Sequence, residues 1–358
     1  MRTNNFLGRN WIDAEYDFTK EEWETLIDVA LYLKRKYALN EDHSYLLKNK
    51  TLFMIFYNQS LRTRTTFTAG INQLGGFAQV LDPGKIYTPA IKGEEEAYST
   101  ERVSDVARVL SRVGDAIAIR MYGPPAQWIY GKANSYIKEF AKWADVPIIN
   151  MECDKFHPTQ ALADMITIKE KFGNFKGKKI VMSWAYSGSV EKPISVPQSV
   201  ILSATKMGMD VVLAHPKGLE LDSEVLQKCK KFSKETGGSF EISNSMKNAF
   251  EDADIVYPKS WGAMNYFAQI DENGKKIKDE NLKDMNKLFE ANKHWICDEK
   301  KMKLIDKNGI YMHCLPADRD MEVTDAVIDG PQSVVFDEAE NRLHAQKAIM
   351  AMIMGGRM

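Results

Sequence analysis

A chain of 358 residues exceeds what one ordinary hydrophobic core serves and suits two domains of roughly 150 residues each. At 44% hydrophobic and 27% charged, its composition excludes an intrinsically disordered protein. Lys and Arg number 48 against 49 Asp and Glu, so no overall field draws the chain to nucleic acid or an anionic membrane, and any affinity for a phosphate has to be local. The four cysteines, Cys153, Cys229, Cys297 and Cys314, lie far apart without a Cys-x-x-Cys pair or zinc spacing, which points to reduced thiols. The N-terminal MRTNNFLGRNW has no apolar h-region and no stretch reaches the length of a membrane span, so the expected location is the cytoplasm.

In chain order, TKEEWETLIDVALYLKRK reads as a helix: Thr19 and Glu22 form a capping box, and Trp23, Leu26, Ile27, Ala30 and Leu31 share one face. Strands are expected at 51–57, 78–81, 115–120 and 146–150, with helical patterns between them, which makes one parallel-sheet domain. Pro158 to Phe172 reads as a joining helix, and GNFKGKK (173–179) as a boundary. A second strand series follows at 179–185, 210–216, 253–260, 309–316 and 333–337, and EAENRLHAQKAIMAMIMGG reads as a final helix stopped by glycines. The fold class is therefore α/β, with two doubly wound parallel-sheet domains joined by helices. The expected boundaries are 1–155 and 172–336, with a C-terminal helix at 337–356 packing back on the first domain. No G-x-G-x-x-G and no P-loop follows a strand, which argues against a nicotinamide or ATP site.

Polar chemistry gathers where strands are expected to end. SLRTRTTF follows the apolar TLFMIF and opens a helix, whose N-terminus offers unpaired N–H groups and roughly half a positive charge. Ser60 and Thr63 add hydroxyls there, and Arg62 or Arg64 can fork onto phosphate oxygens. Arg120 ends a strand in the same domain, His157 and Gln160 flank the first turn of the joining helix, and Pro158 suits that helix's first position. His313, Cys314 and Leu315 end another strand before a proline, and Arg342 lies near the start of the last helix. Taken singly, each also fits an ordinary cap, a solvated arginine, a structural histidine or a buried thiol.

Together, and in this order, these segments resemble the aspartate and ornithine transcarbamylases over nearly the whole chain. That family has a Ser-x-Arg-Thr-Arg phosphate loop, an arginine ending the next-but-one strand, His-Pro-x-Gln and, in its ornithine branch, His-Cys-Leu-Pro. The resemblance implies that an amine attacks the carbamoyl carbon of carbamoyl phosphate and phosphate leaves, with no metal and no cofactor. It implies that Ser60, Leu61, Arg62 and Thr63 hold phosphate, and that Thr63, Arg120 and His157 face the developing oxyanion. Gln160 and the carbonyls of Cys314 and Leu315 would orient the carbamoyl NH₂, and Arg342 would complete the donor site. It also implies a homotrimer with shared active sites, to which DPGKIYTPAIKGEEE (82–96) would contribute a loop.

YPKSWGA, NMEC and DEAENRLHAQKAIMA are similar to the branch acting on N-acetylornithine, whose second domain is knotted. This implies that Glu152, Lys259, Ser260, Trp261 and Leu315 face the acceptor, and that residues 183–198 form the loop through which the chain threads. The chain departs from that branch at Ala317-Asp318-Arg319, where the branch has Leu-Arg-Arg, and near Tyr87-Thr88, where it has a tryptophan. Val323 is read as standing where the branch carries a lysine. The acceptor is thus expected to be ornithine-like, N-acetylated or free. Another amine or ureido-type substrate, or an inactive carbamoyl-phosphate-binding homologue, is the alternative.

Overall fold

The structure, a computed structural model, describes residues 5–271 and 276–355. The chain divides into two compact units, the first made of Met1–Ala126, Gly131–Ile166 and Asn341–Met358, the second of Gln127–Tyr130 and Thr167–Glu340.

In the first unit, helix α1 (Lys20–Ala38) carries the expected capping box between Thr19 and Glu22 and buries Trp23, Leu26, Ile27, Val29, Ala30 and Leu33. Strand β1 (Thr51–Phe56), helix α2 (Arg62–Gln73), strand β2 (Phe77–Leu81), helix α3 (Val103–Val113), strand β3 (Ala116–Arg120), helix α4 (Lys132–Trp143) and strand β4 (Ile148–Glu152) follow. The sheet order is β2-β1-β3-β4, all parallel. A parallel sheet is covered on both faces, which explains why β1, β3 and β4 are almost continuously buried and read as apolar runs instead of alternating ones. Leu52 is fully buried in this core, and its truncation to Ala would cost about 2–5 kcal/mol.

Helix α5 (Pro158–Phe172) passes from the first unit into the second. There, strand β5 (Lys179–Trp184), helix α6 (Ser195–Met207), strand β6 (Asp210–Ala214), helix α7 (Ser223–Thr236), strand β7 (Ser239–Ser243), strand β8 (Ile255–Lys259), helix α8 (Leu282–Ala291) and strand β9 (Ile310–Tyr311) lead to helix α9 (Val335–Ile353). The order is β9-β8-β5-β6-β7, again all parallel. Both units start their sheet with the same clamp. Asp115 accepts from the Thr51 N–H at 2.8 Å and from Lys50 Nζ at 2.7 Å, and Asp254 accepts from the Lys179 N–H at 2.8 Å and from Lys178 Nζ at 2.7 Å. Each aspartate occupies a strand's first backbone donor, a group that is costly to bury unpaired.

Two strand expectations are corrected. Residues 333–337 form a single bridge at Ser333 and then the start of α9, because Val335 is buried, Phe336 is exposed, and Asp337 and Glu338 suit a helix N-terminus. The run 309–316 contracts to Ile310–Tyr311 as a strand, and beyond it the N–H groups of His313 and Leu315 turn to side-chain acceptors. Strand β7 escaped notice because SFEIS is a half-exposed edge without an apolar run.

Within the first unit, α9 lies against α2. A Cβ built at Gly70 of α2 would meet Met350 Cε at 3.1 Å and Lys347 Cγ at 3.3 Å, so the missing side chain sets the approach of the two helices.

Candidate active site

The phosphate-loop residues stand at the N-terminus of α2. Ser60 Oγ accepts from the Thr63 N–H at 3.2 Å, and Leu61, 72% exposed, already has helical angles and supplies no side-chain cap. Thr63 is fully buried, and its hydroxyl oxygen accepts from Arg342 Nη2 at 2.6 Å and faces Arg120 Nη1 at 3.3 Å. The strand end is braced from the other side. Asn58 donates to the Tyr122 carbonyl at 3.0 Å and accepts from the Tyr122 N–H at 2.9 Å, which ties the loop after β1 to the loop after β3. Arg64 turns away and stacks over Phe56 at 4.8 Å, so Arg62 is the loop arginine that faces the cluster.

Arg120 is 8% exposed and forms an ion pair with Glu152, Nη1 to Oε2 at 2.6 Å, at the ends of the adjacent strands β3 and β4. His157 Nε2 lies 3.6 Å from the same carboxylate oxygen. Burial lowers the His157 pKa well below its ordinary value, and the nearby Arg342, Arg120 and Arg62 lower it further, so the imidazole is neutral at physiological pH. A neutral ring among three guanidinium groups can donate a hydrogen bond without adding a fourth charge. One turn along α5, Gln160 Nε2 donates to Asp164 Oδ1 at 2.8 Å. A carboxylate only accepts, so this bond assigns the amide nitrogen to the Asp164 side and the carbonyl oxygen to the other.

The acceptor-side residues lie in the second unit. Lys259 ends β8 with an 11% exposed side chain, and its Nζ stands 3.6 Å from Glu322 Oε1. The Ser260 N–H donates to the same oxygen at 2.6 Å. Trp261 is a structural residue in its side chain: the indole N–H donates to the Leu219 carbonyl at 3.0 Å and the ring is fully buried. His313 Nδ1 accepts from the Leu315 N–H at 2.9 Å, so the ring proton sits on Nε2, 3.2 Å from Glu322 Oε2. Leu315 has φ of 54°, a left-handed conformation that costs a leucine about 1–3 kcal/mol, and a cis peptide joins it to Pro316. Cys314 is buried at 7% exposure, and like Cys153, Cys229 and Cys297 it is a free thiol.

A family model described as the carbamoyl-P binding domain of aspartate/ornithine carbamoyltransferase matches residues 9–170, and one described as the Asp/Orn binding domain matches residues 176–353. The chain belongs to the aspartate/ornithine carbamoyltransferase family. It is 39% identical over 351 residues to the N-acetylornithine carbamoyltransferase of Xanthomonas campestris, which covers 95% of this chain and 96% of that one. It is 40% identical over 340 residues to the ornithine carbamoyltransferase of Thermococcus kodakarensis, 95% of each. A solved structure of acetylornithine transcarbamylase complexed with acetylcitrulline superposes with a TM-score of 0.85 at 36% identity, over 98% of this chain and 100% of that one.

Within this carbamoyltransferase, the positions that depart from the N-acetylornithine branch become legible. Asp318 accepts from Lys192 Nζ at 2.9 Å and from the Ser187 hydroxyl, so its charge is already matched. Arg319 pairs with Asp325 and Asp329 on the surface. The reading of Val323 as a departing site position is corrected: Val323 is fully buried and bridges Cys297 and Arg319, while its neighbour Glu322 reaches Lys259. Asn58, Asp164 and Glu322 were not picked out from the sequence. Gln-x-x-x-Asp on one helix, at i and i+4, was the available signal for Asp164. Glu322 sits in a stretch without regular structure, where no periodicity marks it.

Proposed function

We propose that the chain transfers the carbamoyl group of carbamoyl phosphate to the side-chain amine of an ornithine-like amino acid and releases phosphate. The observation that carries this reading is the buried convergence of Arg120 and Arg342 on Thr63 at the N-terminus of α2, beside a neutral His157. A helix N-terminus and guanidinium forks suit a dianionic phosphate. As the amine attacks, negative charge grows on the carbamoyl oxygen, and Thr63, Arg120 and His157 are the donors assigned to it. Gln160 Oε1 and the Cys314 and Leu315 carbonyls are the acceptors for the carbamoyl NH₂. Ser60, Leu61, Arg62 and Arg342 hold the phosphate. Positioning and electrostatics suffice for such a transfer.

In this reading the first unit takes carbamoyl phosphate and the second takes the amino acid, with Lys259 on its carboxylate and Ser260 and Leu315 beside it. Glu152 is shared between Arg120 and the incoming amine. With Asp318 held by Lys192 where the N-acetylornithine branch has an arginine, an acyl group should gain less here than in that branch, and the relatives include enzymes named for both ornithine and N-acetylornithine. The test is phosphate release from carbamoyl phosphate with ornithine, N-acetylornithine, N-succinylornithine and putrescine. Turnover with at least one amino-acid amine is expected, and none with any amine would overturn the reading.

The assembly we propose is a homotrimer with shared active sites in the cytoplasm. The loop at 82–96 and its flank expose Tyr87 at 57% and Tyr98 at 94%, and edge strand β2 exposes Phe77. Among the described residues no helix is long and apolar enough to cross a membrane. A fully active monomer in sedimentation would remove the shared site. We also read residues 183–198 as a threaded loop, since the Lys192 carbonyl accepts from the Gly262 N–H at 3.1 Å while Lys192 Nζ holds Asp318.

A further inference from the structure

We infer that Lys347, buried on α9, is a positioning residue for the donor side: it fixes the register of α9 along α2 and so delivers Arg342 to Thr63. The inference rests on the proposed reading in which Arg342 holds the phosphate of carbamoyl phosphate.

Lys347 is fully buried, and both of its hydrogen-bond partners are neutral. Its Nζ donates to Gln73 Oε1 at 2.9 Å, on the last residue of α2, and stands 2.7 Å from His43 Nε2. An ammonium only donates, so His43 Nε2 accepts and the ring proton sits on Nδ1, which donates to the Glu41 carbonyl at 2.8 Å. The Tyr37 ring of α1 lies 5.3 Å from the same nitrogen. The end of α1, the stretch holding His43 and the end of α2 thus fix one nitrogen together. Burial lowers the Lys347 pKa from 10.5 to about 8, which leaves the group charged at pH 7. An ammonium buried against neutral partners costs stability that an apolar chain of similar length would not. Stability gives no reason for a lysine here, whereas the geometry of the two helices does.

Two long side chains tie α9 to α2. Arg342 reaches the first turn of α2 at Thr63, and Lys347 reaches its last residue. The contacts follow the same order along both helices, which therefore run the same way. Thr63 and Gln73 are ten residues apart, about 15 Å of helix, whereas Arg342 and Lys347 are five apart, about 7.5 Å. The two side chains must splay, one toward each end of α2. Between these ties Gly70 admits the lysine stem, since a Cβ there would meet Lys347 Cγ at 3.3 Å. A slide of α9 in one direction stretches the Arg342 bond, and a slide in the other stretches the Lys347 bond. Either bond alone resists only one of the two.

The test uses the full chain. Lys347→Met, an apolar chain of similar length, is expected to raise the Kd of carbamoyl phosphate, measured by calorimetry without acceptor, roughly five-fold or more. The acceptor KM at saturating carbamoyl phosphate should stay within about two-fold, a split that general loosening of the fold would not give. Because Lys347 acts through Arg342, adding Lys347→Met to Arg342→Ala should raise the Kd less than about two-fold further. Should Lys347→Met lose its melting transition, Gln73→Met carries the test, since it removes the α2 end of the tie and leaves the ammonium on His43. It is expected to raise the same Kd roughly three-fold. A parent-like Kd in folded Lys347→Met, or in Gln73→Met where that variant carries the test, overturns the inference, as does a double variant in which the two losses multiply. A parent that binds no carbamoyl phosphate, or an Arg342→Ala variant that binds it as the parent does, overturns the reading of the donor site, and this inference with it.

Discussion

Arg120 Nη1 and Glu152 Oε2, at the ends of two neighbouring parallel strands, lie 2.6 Å apart with both side chains almost fully buried. A donor phosphate or carbamoyl oxygen that reaches Arg120 therefore competes with a carboxylate already in place. Arg120→Ala and His157→Ala are each expected to lower the carbamoylation rate by roughly 10²–10³-fold with the fold retained, because in the proposed mechanism both donate to charge that appears in the transition state. Glu152→Gln should do the reverse for the donor alone: carbamoyl phosphate binds several-fold more tightly while the acceptor KM rises. Steady-state kinetics and calorimetry on folded variants check both, and near-parent turnover in Arg120→Ala would remove the mechanism.

Asp164 never touches the substrate in this reading, yet it sets which amide atom of Gln160 faces it. Asp164→Asn supplies a side chain that can accept or donate and lets the Gln160 amide turn over. The expected result is a fall in kcat of roughly ten-fold, equal to about 1.4 kcal/mol, with little change in carbamoyl phosphate affinity. Equal loss of kcat and donor affinity would instead mark Asp164 as part of the phosphate site.

Lys259→Ala should raise the KM of any acceptor that bears a carboxylate, the loss of a charge-assisted hydrogen bond worth about 1.5–3 kcal/mol. An amine without a carboxylate, such as putrescine, should be insensitive. If the KM for ornithine stays unchanged, the acceptor assignment falls while the donor site stands.

Asp318→Arg is expected to shift preference toward an N-acylated acceptor, measured as the ratio of kcat/KM for N-acetylornithine to that for ornithine. The ion pair at 2.9 Å makes the single change costly, since the new guanidinium would meet Lys192. Combining it with Lys192→Met should enlarge the shift, and an unmoved ratio in both variants would sink the role given to Asp318.

Acid should destabilise the chain at pH values where ordinary carboxylates are still ionised. Burial lowers the pKa of His157, His313 and His344, the last to about 3, from an ordinary value of 6.5. Below about 6.5 the unfolded chain binds protons that the folded chain refuses, so each histidine removes up to about 1.4 kcal/mol per pH unit as pH falls. Asp154, raised to about 6 by burial, works the other way between its ordinary value of 3.8 and 6. The unfolding midpoint in urea should therefore drop between pH 7 and pH 5, and His344→Gln should flatten that drop. A midpoint constant over that range would contradict the neutral state of these rings.

The elements that the sequence made plain are those whose local pattern and tertiary role agree: α1 with its box, the buried runs of β1, β3 and β5, and α5 from Pro158 to Phe172. The residues proposed for the donor side could be singled out because they follow such strands and helix starts at short, fixed distances. Glu322 and Asn58 were not, because each owes its position to partners distant in the chain, Glu322 to Lys259 and Asn58 to Tyr122. The start of α9 was misread for a related reason: Val334 and Val335 look like a strand, and only burial on one helical face separates the two.

Thr63 and Arg342 meet although they stand 279 positions apart in the chain. A ribosome adding roughly 5–20 residues per second needs on the order of tens of seconds to cover that stretch. Throughout that interval the emerging N-terminal half presents β1 and α2 without the guanidinium that closes on Thr63, so under the proposed donor assignment a nascent chain has no complete grip on carbamoyl phosphate. Under that assignment the last helix is a completion mark: a polypeptide cut short by a few dozen residues would be denied its donor as well as its activity.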